Sequence, residues 1–166
     1  MQTLRGLQTI LLGAALFSTY ALATPPTTES DQAGLHLVGR KDCQLVPPAQ
    51  WLDSTITWEG PCQAGKAHGQ GVLRAYKKGV KTLLFLGNLE QGELSLGVID
   101  SAEGYIAGQF YQGKLVPDVE RNVIISAFRN ASAAAKAYSQ HLKQAGNQGS
   151  AAFYLKKAQE LEQQMD

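Results

Sequence analysis

Residues 58–71 have the sequence WEGPCQAGKAHGQG, and this stretch decides the fold of the chain. Cys62 stands where a second large side chain would be expected. Glycines at such regular spacing either hold a ligand against bare backbone or let strands turn and pack closely. One aromatic residue and four glycines set the pattern: Trp58, Gly60, Gly65, Gly69 and Gly71.

The same pattern returns twice downstream, in copies that start at residues 85 and 106. A recurring pattern favours a structural repeat, because each copy can bury its apolar face only against its neighbours. The first glycine leaves a gap between two large side chains on one strand face, where we expect the ring of a neighbouring copy. The second glycine is expected at a turn with positive φ. The two later copies contain Phe85, Gly87, Leu89 and Gly92, then Ile106, Gly108, Phe110 and Gly113.

At these positions the sequence resembles the MORN repeat, whose usual form is aromatic-x-Gly-x-aromatic-x-x-Gly-x-x-x-Gly-x-Gly. The first copy matches every glycine of that form. In the second copy Gly92 is followed by Gly97, one residue late, and the third copy has no glycine after Gly113. The resemblance covers about residues 55–116, and the sequence is also similar to exported bacterial MORN-like proteins with a Cys…Trp-x-Gly-x-Cys start. It implies short hairpins in an elongated one-sided sheet, a scaffold or adaptor role, and no catalytic residue.

Residues 1–23 have the features of a signal peptide: Arg5 near the start, an apolar run, and Ala21-Leu22-Ala23 as a cleavage site. The apolar run is shorter than the ~20 residues of a membrane helix. We therefore expect cleavage near Ala23 and export to the periplasm or beyond. Without Arg5 the mature chain has 14 basic and 14 acidic residues. This balance gives no reason to expect a nucleic-acid partner.

The two cysteines, Cys43 and Cys62, both lie in the mature chain. In an exported protein, two cysteines predict one disulfide rather than two free thiols. This bond would tie the segment before the repeats to the first copy.

After Val116 the composition changes to an alanine-rich sequence with apolar residues at three- and four-residue steps, which predicts an amphipathic helix. Asp118 is its expected N-cap, and Gly146-Asn147-Gln148-Gly149 is expected to end it. Ser150 is then expected to cap a second helix.

The predicted fold is α+β: a short MORN-like antiparallel sheet followed by a helical hairpin. The predicted order is a signal peptide (1–23), a flexible leader (24–42), the β repeat region (43–116) and the hairpin (117–166). We expect the segment around Cys43 to cover the first end of the sheet. The hairpin should pack Ile124, Phe128 and Tyr138 on the last repeat or across the sheet.

No set of residues predicts catalysis, a metal or a cofactor. Residues 65–71 superficially resemble a phosphate-binding loop, but a strand follows them and no Ser or Thr is suitably placed. His36, His68 and His141 lie in three different segments without metal-ligand spacing. Carboxylate pairs such as Glu90 and Glu93 flank turns, where nothing predicts a cleft.

A basic cluster between the first two copies is the one candidate for anionic ligands. It could contact lipid headgroups or a glycan at a surface, or it could be a solvated loop. Its members are Lys66, His68, Arg74, Lys77, Lys78 and Lys81.

The function that we expect is a non-enzymatic exported binding or scaffold protein of the cell envelope. A protein partner would contact the groove face of the sheet or the helical hairpin. The alternatives are a peripheral phospholipid- or glycan-contacting module that uses Lys66–Lys81, and a hydrolase whose site the sequence does not reveal.

Overall fold

A computed structural model describes residues 36–166, so the predicted signal peptide and the first part of the predicted leader lie outside the described residues. The α+β prediction is confirmed, because an antiparallel sheet is followed by two helices. In chain order the elements are β1 (Val38–Arg40), β2 (Cys43–Leu45), a 3-10 turn (Ala49–Trp51), β3 (Thr55–Glu59), β4 (Cys62–Gln63), β5 (Lys66–Ala67), β6 (Gly69–Lys77), β7 (Val80–Glu90), β8 (Glu93–Ser101), β9 (Gly104–Tyr111), β10 (Lys114–Leu115), α1 (Arg121–Gln144), α2 (Gln148–Glu162) and a final 3-10 turn (Gln163–Met165).

The main sheet has six strands in the order β10-β9-β8-β7-β6-β3, and every neighbouring pair is antiparallel. A smaller sheet has the order β1-β2-β5-β4, with β2 and β5 parallel. The predicted end of the leader at residue 42 is therefore too late. Val38–Arg40 already form β1, because they pair with β2 and Val38 packs on the core.

The turn role predicted for the second glycine of each copy is confirmed. Gly65, Gly92 and Gly113 have φ of 77°, 88° and 73°. The residue before each of them also has positive φ, as in the type I′ turns that join tightly twisted hairpins.

The other glycines form a row across the sheet, since Gly71 pairs with Gly87, Gly87 with Gly97, and Gly97 with Gly108. Gly97 thus occupies in the second hairpin the position that Gly71 occupies in the first. The expectation that a neighbouring copy's ring fills the gap is wrong. The Trp58 ring lies over Gly71 of its own copy, because the hairpin brings that glycine beside it.

One face of the main sheet is covered by the segment that precedes the repeats. The predicted disulfide is confirmed: Cys43 and Cys62 are bonded, with their Cα atoms 5.4 Å apart. We expect this segment at the first end of the sheet, but it packs across one face. Its apolar side chains form a single core with the side chains of the strands. This core contains Cys43, Leu45, Trp51, Ile56, Ala67, Leu73, Ala75, Phe85, Leu89, Leu94, Ile99 and Phe110.

The helical hairpin covers the opposite face, and α1 crosses β6, β7, β8 and β9. Of the two placements predicted, packing across the sheet is the one observed. Phe128 is buried and Tyr138 half-buried, whereas Ile124 is exposed. The second core contains Val72, Leu84, Leu86, Val98, Phe128, Ala131, Ala135, Tyr154, Ala158 and Leu161.

Both predicted helix caps are wrong. Asp118 has φ of 51° and lies outside α1, whose N-cap is Glu120 without a side-chain hydrogen bond. In α2 the N-cap is Asn147, whose side chain accepts from the backbone N–H of Ser150. Sequence spacing alone could not separate Ser150 from Asn147, because both residue types cap helices well.

Candidate functional site

The structure separates the predicted basic cluster into three parts. Lys66 lies in β5, while Lys77 and Lys78 lie at the far end of β6. The nine residues of β6, at about 3.3 Å per residue, keep those ends ~30 Å apart. Arg74 points to the helices and is ion-paired with Glu59 at 2.7 Å.

His68 is half-buried, and its Nδ1 is buried without a hydrogen-bond partner among the described residues. His36 and His141 are exposed. Within residues 36–166 no group of three His, Cys, Asp or Glu side chains is arranged to hold a metal ion.

Arg74 is enclosed by tyrosines where β6 meets the helices. Its guanidinium lies 5.6 Å from the centre of the Tyr138 ring. Burial raises the pKa of Tyr138 above its usual value and raises the pKa of Tyr154 to about 12. Both phenols therefore keep their protons at neutral pH and can act as hydrogen-bond donors.

Two clefts lie along one flank of α1, between the helix and the sheet. A ridge of residues four apart runs past both clefts and winds about the helix, because each step of four residues turns by ~40°. From Asn122 to Tyr138 this ridge rises ~24 Å. The ridge consists of Asn122, Ser126, Asn130, Ala134 and Tyr138. We call the two clefts together the flank groove.

The first section of the flank groove, the tyrosine cleft, has a volume of about 460 Å³. Bare backbone at Gly60 and Gly71 forms part of its lining, and Tyr138 and His141 stand on the helical side with their rings stacked. Part of the stretch 58–71 that decides the fold thus also forms one wall of the tyrosine cleft. The full lining is Glu59, Gly60, Pro61, Gln70, Gly71, Ala134, Ala137, Tyr138 and His141.

The second section, the carboxamide cleft, has a volume of about 360 Å³ and lies at the N-terminal end of α1. Three carboxamides, two hydroxyls and one carboxylate surround it, with only two apolar side chains. The lining is Asn88, Glu90, Ser95, Leu96, Gln109, Asn122, Val123 and Ser126.

A cross-strand row forms the sheet side of the carboxamide cleft and continues into the tyrosine cleft. Gln70 pairs with Asn88, Asn88 with Leu96, and Leu96 with Gln109. This row lies on the helix-facing side, because its members are two residues from core positions such as Leu86. Three of the four side chains in this row are polar, although the alternation of inward and outward side chains along the strands would place core residues there.

A bridge divides the two clefts. The Gln70 side chain donates from Nε2 to the backbone oxygen of Asn130 at 3.1 Å. In turn, Nδ2 of Asn130 donates to the backbone oxygen of Ser126 at 3.0 Å. Only the Gln70–Asn130 bond joins the sheet to the helix, since the Asn130–Ser126 bond lies within α1.

The other polar side chains of the carboxamide cleft are unpaired. Within the described part of the chain, Asn88, Gln109 and Asn122 make no side-chain hydrogen bond, and neither do the hydroxyls of Ser95 and Ser126. None of these atoms is both buried and without a hydrogen-bond partner, so each of them keeps some contact with solvent. The cleft therefore offers donors and acceptors for a bound molecule.

Two signals of this groove are present in the sequence, although the predicted sites do not include it. Asn122, Ser126 and Asn130 are four residues apart, beside the apolar stripe of the predicted helix. Asn88 follows Leu84 and Leu86 at two-residue spacing and breaks an apolar series on one strand face. Neither signal shows, without the fold, that the helical stripe lies over the strand row.

Among residues 36–166, no helix has the length and apolar character required to cross a membrane. Comparison with protein-family models, with curated proteins and with solved structures gives no match to this chain.

Proposed function

We propose that this chain is an exported, non-catalytic binding or scaffold protein of the cell envelope, which holds a protein partner in the flank groove. The observation that carries the proposal is the carboxamide cleft, where several polar side chains converge without partners. Polar groups on core-facing positions reduce the apolar area available for folding, and they are typical of sites kept for binding.

The position of the flank groove supports a role for both parts of the fold. Both faces of the main sheet carry a packed core, so much of the sheet surface is covered. The flank groove lies where the repeat sheet and the helical hairpin meet. We propose that the three hairpins are MORN-like repeats whose sheet forms one wall of this site.

Export is supported by the disulfide between Cys43 and Cys62, since such bonds persist in oxidising compartments. Together with the sequence of residues 1–23, the bond favours the periplasm or the cell exterior as the place of action.

Photocrosslinking in the cells that make the protein tests this function. A photoreactive phenylalanine analogue replaces Gln109 in the carboxamide cleft or Ala137 in the tyrosine cleft, both of which are exposed. The controls are Ala152 and Gln159, exposed positions on α2. We expect one partner protein to crosslink from both groove positions and from neither control. Equal adducts from all four positions, or none from the groove, would contradict the proposal.

A second candidate function is contact with an anionic lipid surface, and one contact favours it. Lys81 lies 4.9 Å from the ring of Phe153, which α2 brings beside the β6–β7 turn. Val80 at the same turn is 67% exposed. With Lys77 and Lys78 these residues place cations beside exposed apolar groups, the combination that binds anionic membranes.

Vesicle sedimentation tests the lipid candidate. We expect binding to vesicles with a third of phosphatidylglycerol, and none to pure phosphatidylcholine. Replacement of both Lys78 and Lys81 by Gln should remove the binding, whereas Lys66→Gln in β5 should leave it unchanged. Equal binding to both vesicle types would exclude this function.

A further inference from the structure

We infer that the ligand of the carboxamide cleft is an extended peptide segment, bound through its main chain rather than through particular side chains. The inference rests on the proposed function and adds the chemistry by which the partner is held. It starts from the composition of the cleft, in which the side chains with free hydrogen-bonding groups are mostly uncharged.

The charge of the cleft excludes most anionic ligands. Glu90 is the one charged residue in its lining, and no Lys or Arg contributes to it. A phosphate or a carboxylate would meet no opposite charge there. The ligand is therefore not anionic at the contact, and it has to offer both donors and acceptors.

A peptide main chain matches these groups. Each residue of an extended peptide presents one N–H donor and one C=O acceptor, and both must be paired when water is excluded. Each carboxamide of Asn88, Gln109 and Asn122 also presents a donor and an acceptor. One side chain can thus satisfy both groups of one peptide residue.

The spacing of the helical wall also fits an extended chain. Asn122, Ser126 and Asn130 recur every four residues, which corresponds to ~6 Å along the helix. Residues of an extended peptide that face the same side recur every ~6.6 Å. Between Asn122 and the Gln70–Asn130 bond the helical wall is ~12 Å long, which accommodates about four extended residues.

A neutral saccharide is the competing ligand, and the lining fits it less well. Sugar rings have apolar C–H faces that need apolar surface. No aromatic ring lines the carboxamide cleft to stack against such a face. Saccharides are therefore included as a separate arm of the test.

The test follows the side-chain NH₂ signals of Asn88, Gln109 and Asn122 by NMR, using the exported, disulfide-bonded protein. The probes are a pool of randomised end-blocked heptapeptides, the same pool with N-methylated backbones, and cellohexaose. We expect shifts of these signals with the first pool only, because N-methylation removes the main-chain donors.

Two matched variants separate recognition from folding. Replacement of both Asn88 and Gln109 by Leu should weaken the pool's binding about 10- to 30-fold, the loss expected for two hydrogen bonds. Gln159→Leu changes an exposed carboxamide outside the groove and should have no effect. Amide spectra of both variants report whether the fold is kept.

The outcomes are distinct. Shifts with cellohexaose and none with peptides would replace the peptide by a saccharide. Equal shifts with the N-methylated pool would overturn main-chain recognition. If no probe shifts the signals while Gln109 and Ala137 still crosslink to a partner, the main-chain mode is wrong and the proposed function stands. If crosslinking fails as well, both are wrong.

Discussion

The indole ring of Trp58 covers the backbone of Gly71 on the paired strand, so a Cβ added at Gly71 would come within 2.5 Å of the ring. The same Cβ would lie 2.6 Å from the backbone oxygen of Glu59. One side is a packed ring and the other is backbone of the neighbouring strand, so neither can move aside without disturbing the first hairpin. Glycine at this position is required by close approach and not by its φ.

We therefore predict that Gly71→Ala lowers the free energy of unfolding by about 1–3 kcal/mol, the usual cost of overpacking a core. Gly149→Ala is the matched control. It lies in α2 with open space around it, where alanine should be neutral or stabilise by up to ~1 kcal/mol. Urea unfolding of both variants measures the change in the free energy of unfolding, which should be negative for Gly71→Ala and zero or positive for Gly149→Ala. A Gly71→Ala variant as stable as the wild type would contradict the close packing.

The disulfide gives a second prediction. Cys43 is buried in the core on one face of the sheet, and its bond to Cys62 closes a loop with a sequence separation of 19. Replacing both cysteines by Ser should lower the free energy of unfolding by about 3 kcal/mol, the loop-entropy value for this length. Thermal unfolding with and without a dithiol reductant provides the measurement. The reductant should lower the melting temperature of the wild type and leave that of the double variant unchanged.

The repeat could be predicted from sequence because its physics is local. Glycines at turns and alternating large residues specify hairpins such as that of β7 and β8 directly. The residue that each aromatic ring covers could not be predicted from the sequence. The Trp58 ring lies over Gly71 because the two residues are on neighbouring strands, and the spacing along the sequence does not show which strands pair.

The flank groove could not be predicted from any sequence motif, because it depends on how α1 packs across the strands. Asn122 and Asn88 are 34 positions apart (122 − 88), and only the crossing of α1 over the strands brings them to one cleft. The basic cluster shows the opposite effect. Lys66 and Lys77 lie within one short stretch of sequence, but the extended strand β6 between them places them far apart in the structure.

The start of α2 allows the corrected cap to be tested. The Asn147 side chain accepts the backbone N–H of Ser150 at 3.1 Å. Asn147→Ala should therefore cost about 1 kcal/mol, the typical value of an N-cap. Ser150→Ala should cost much less, because the Ser150 backbone N–H remains available to Asn147. Equilibrium unfolding of the two variants distinguishes these roles. A larger loss for Ser150→Ala would restore Ser150 as the cap.

Lys157 links α2 to the sheet and predicts how stability depends on pH. Its ammonium donates to Asp100 at 3.0 Å, to Glu160 at 2.8 Å and to the Tyr105 hydroxyl at 3.1 Å. The hydrogen bond from Lys157 lowers the pKa of Glu160. Burial alone would lower the pKa of Lys157, but the bonds to Glu160 and Asp100 raise it overall.

The directions of these two pKa shifts define the pH range in which Lys157 stabilises the fold. A carboxyl with a lowered folded pKa stabilises above its unfolded pKa of about 4.3, and this stability is lost as the pH falls further. A lysine with a raised folded pKa stabilises below its unfolded pKa of about 10.4, and this stability is lost as the pH rises through the folded value. The contribution of Lys157 is therefore complete between about pH 5 and pH 10.

Lys157→Met keeps the length of the side chain and removes its charge. Near pH 7 we expect a loss of about 1–2 kcal/mol, between the values of exposed and fully buried ion pairs. Urea unfolding at pH 3, 5, 7 and 9 should show this loss shrinking as the pH falls below 5 towards the lowered pKa of Glu160. The neighbouring Lys156 is 78% exposed and lies 3.8 Å from Glu160. Lys156→Met should therefore change stability by less than ~0.5 kcal/mol throughout. A loss for Lys157→Met that stays constant from pH 7 to pH 3 would show that packing of the Lys157 stem, and not its charge, holds α2 on the sheet.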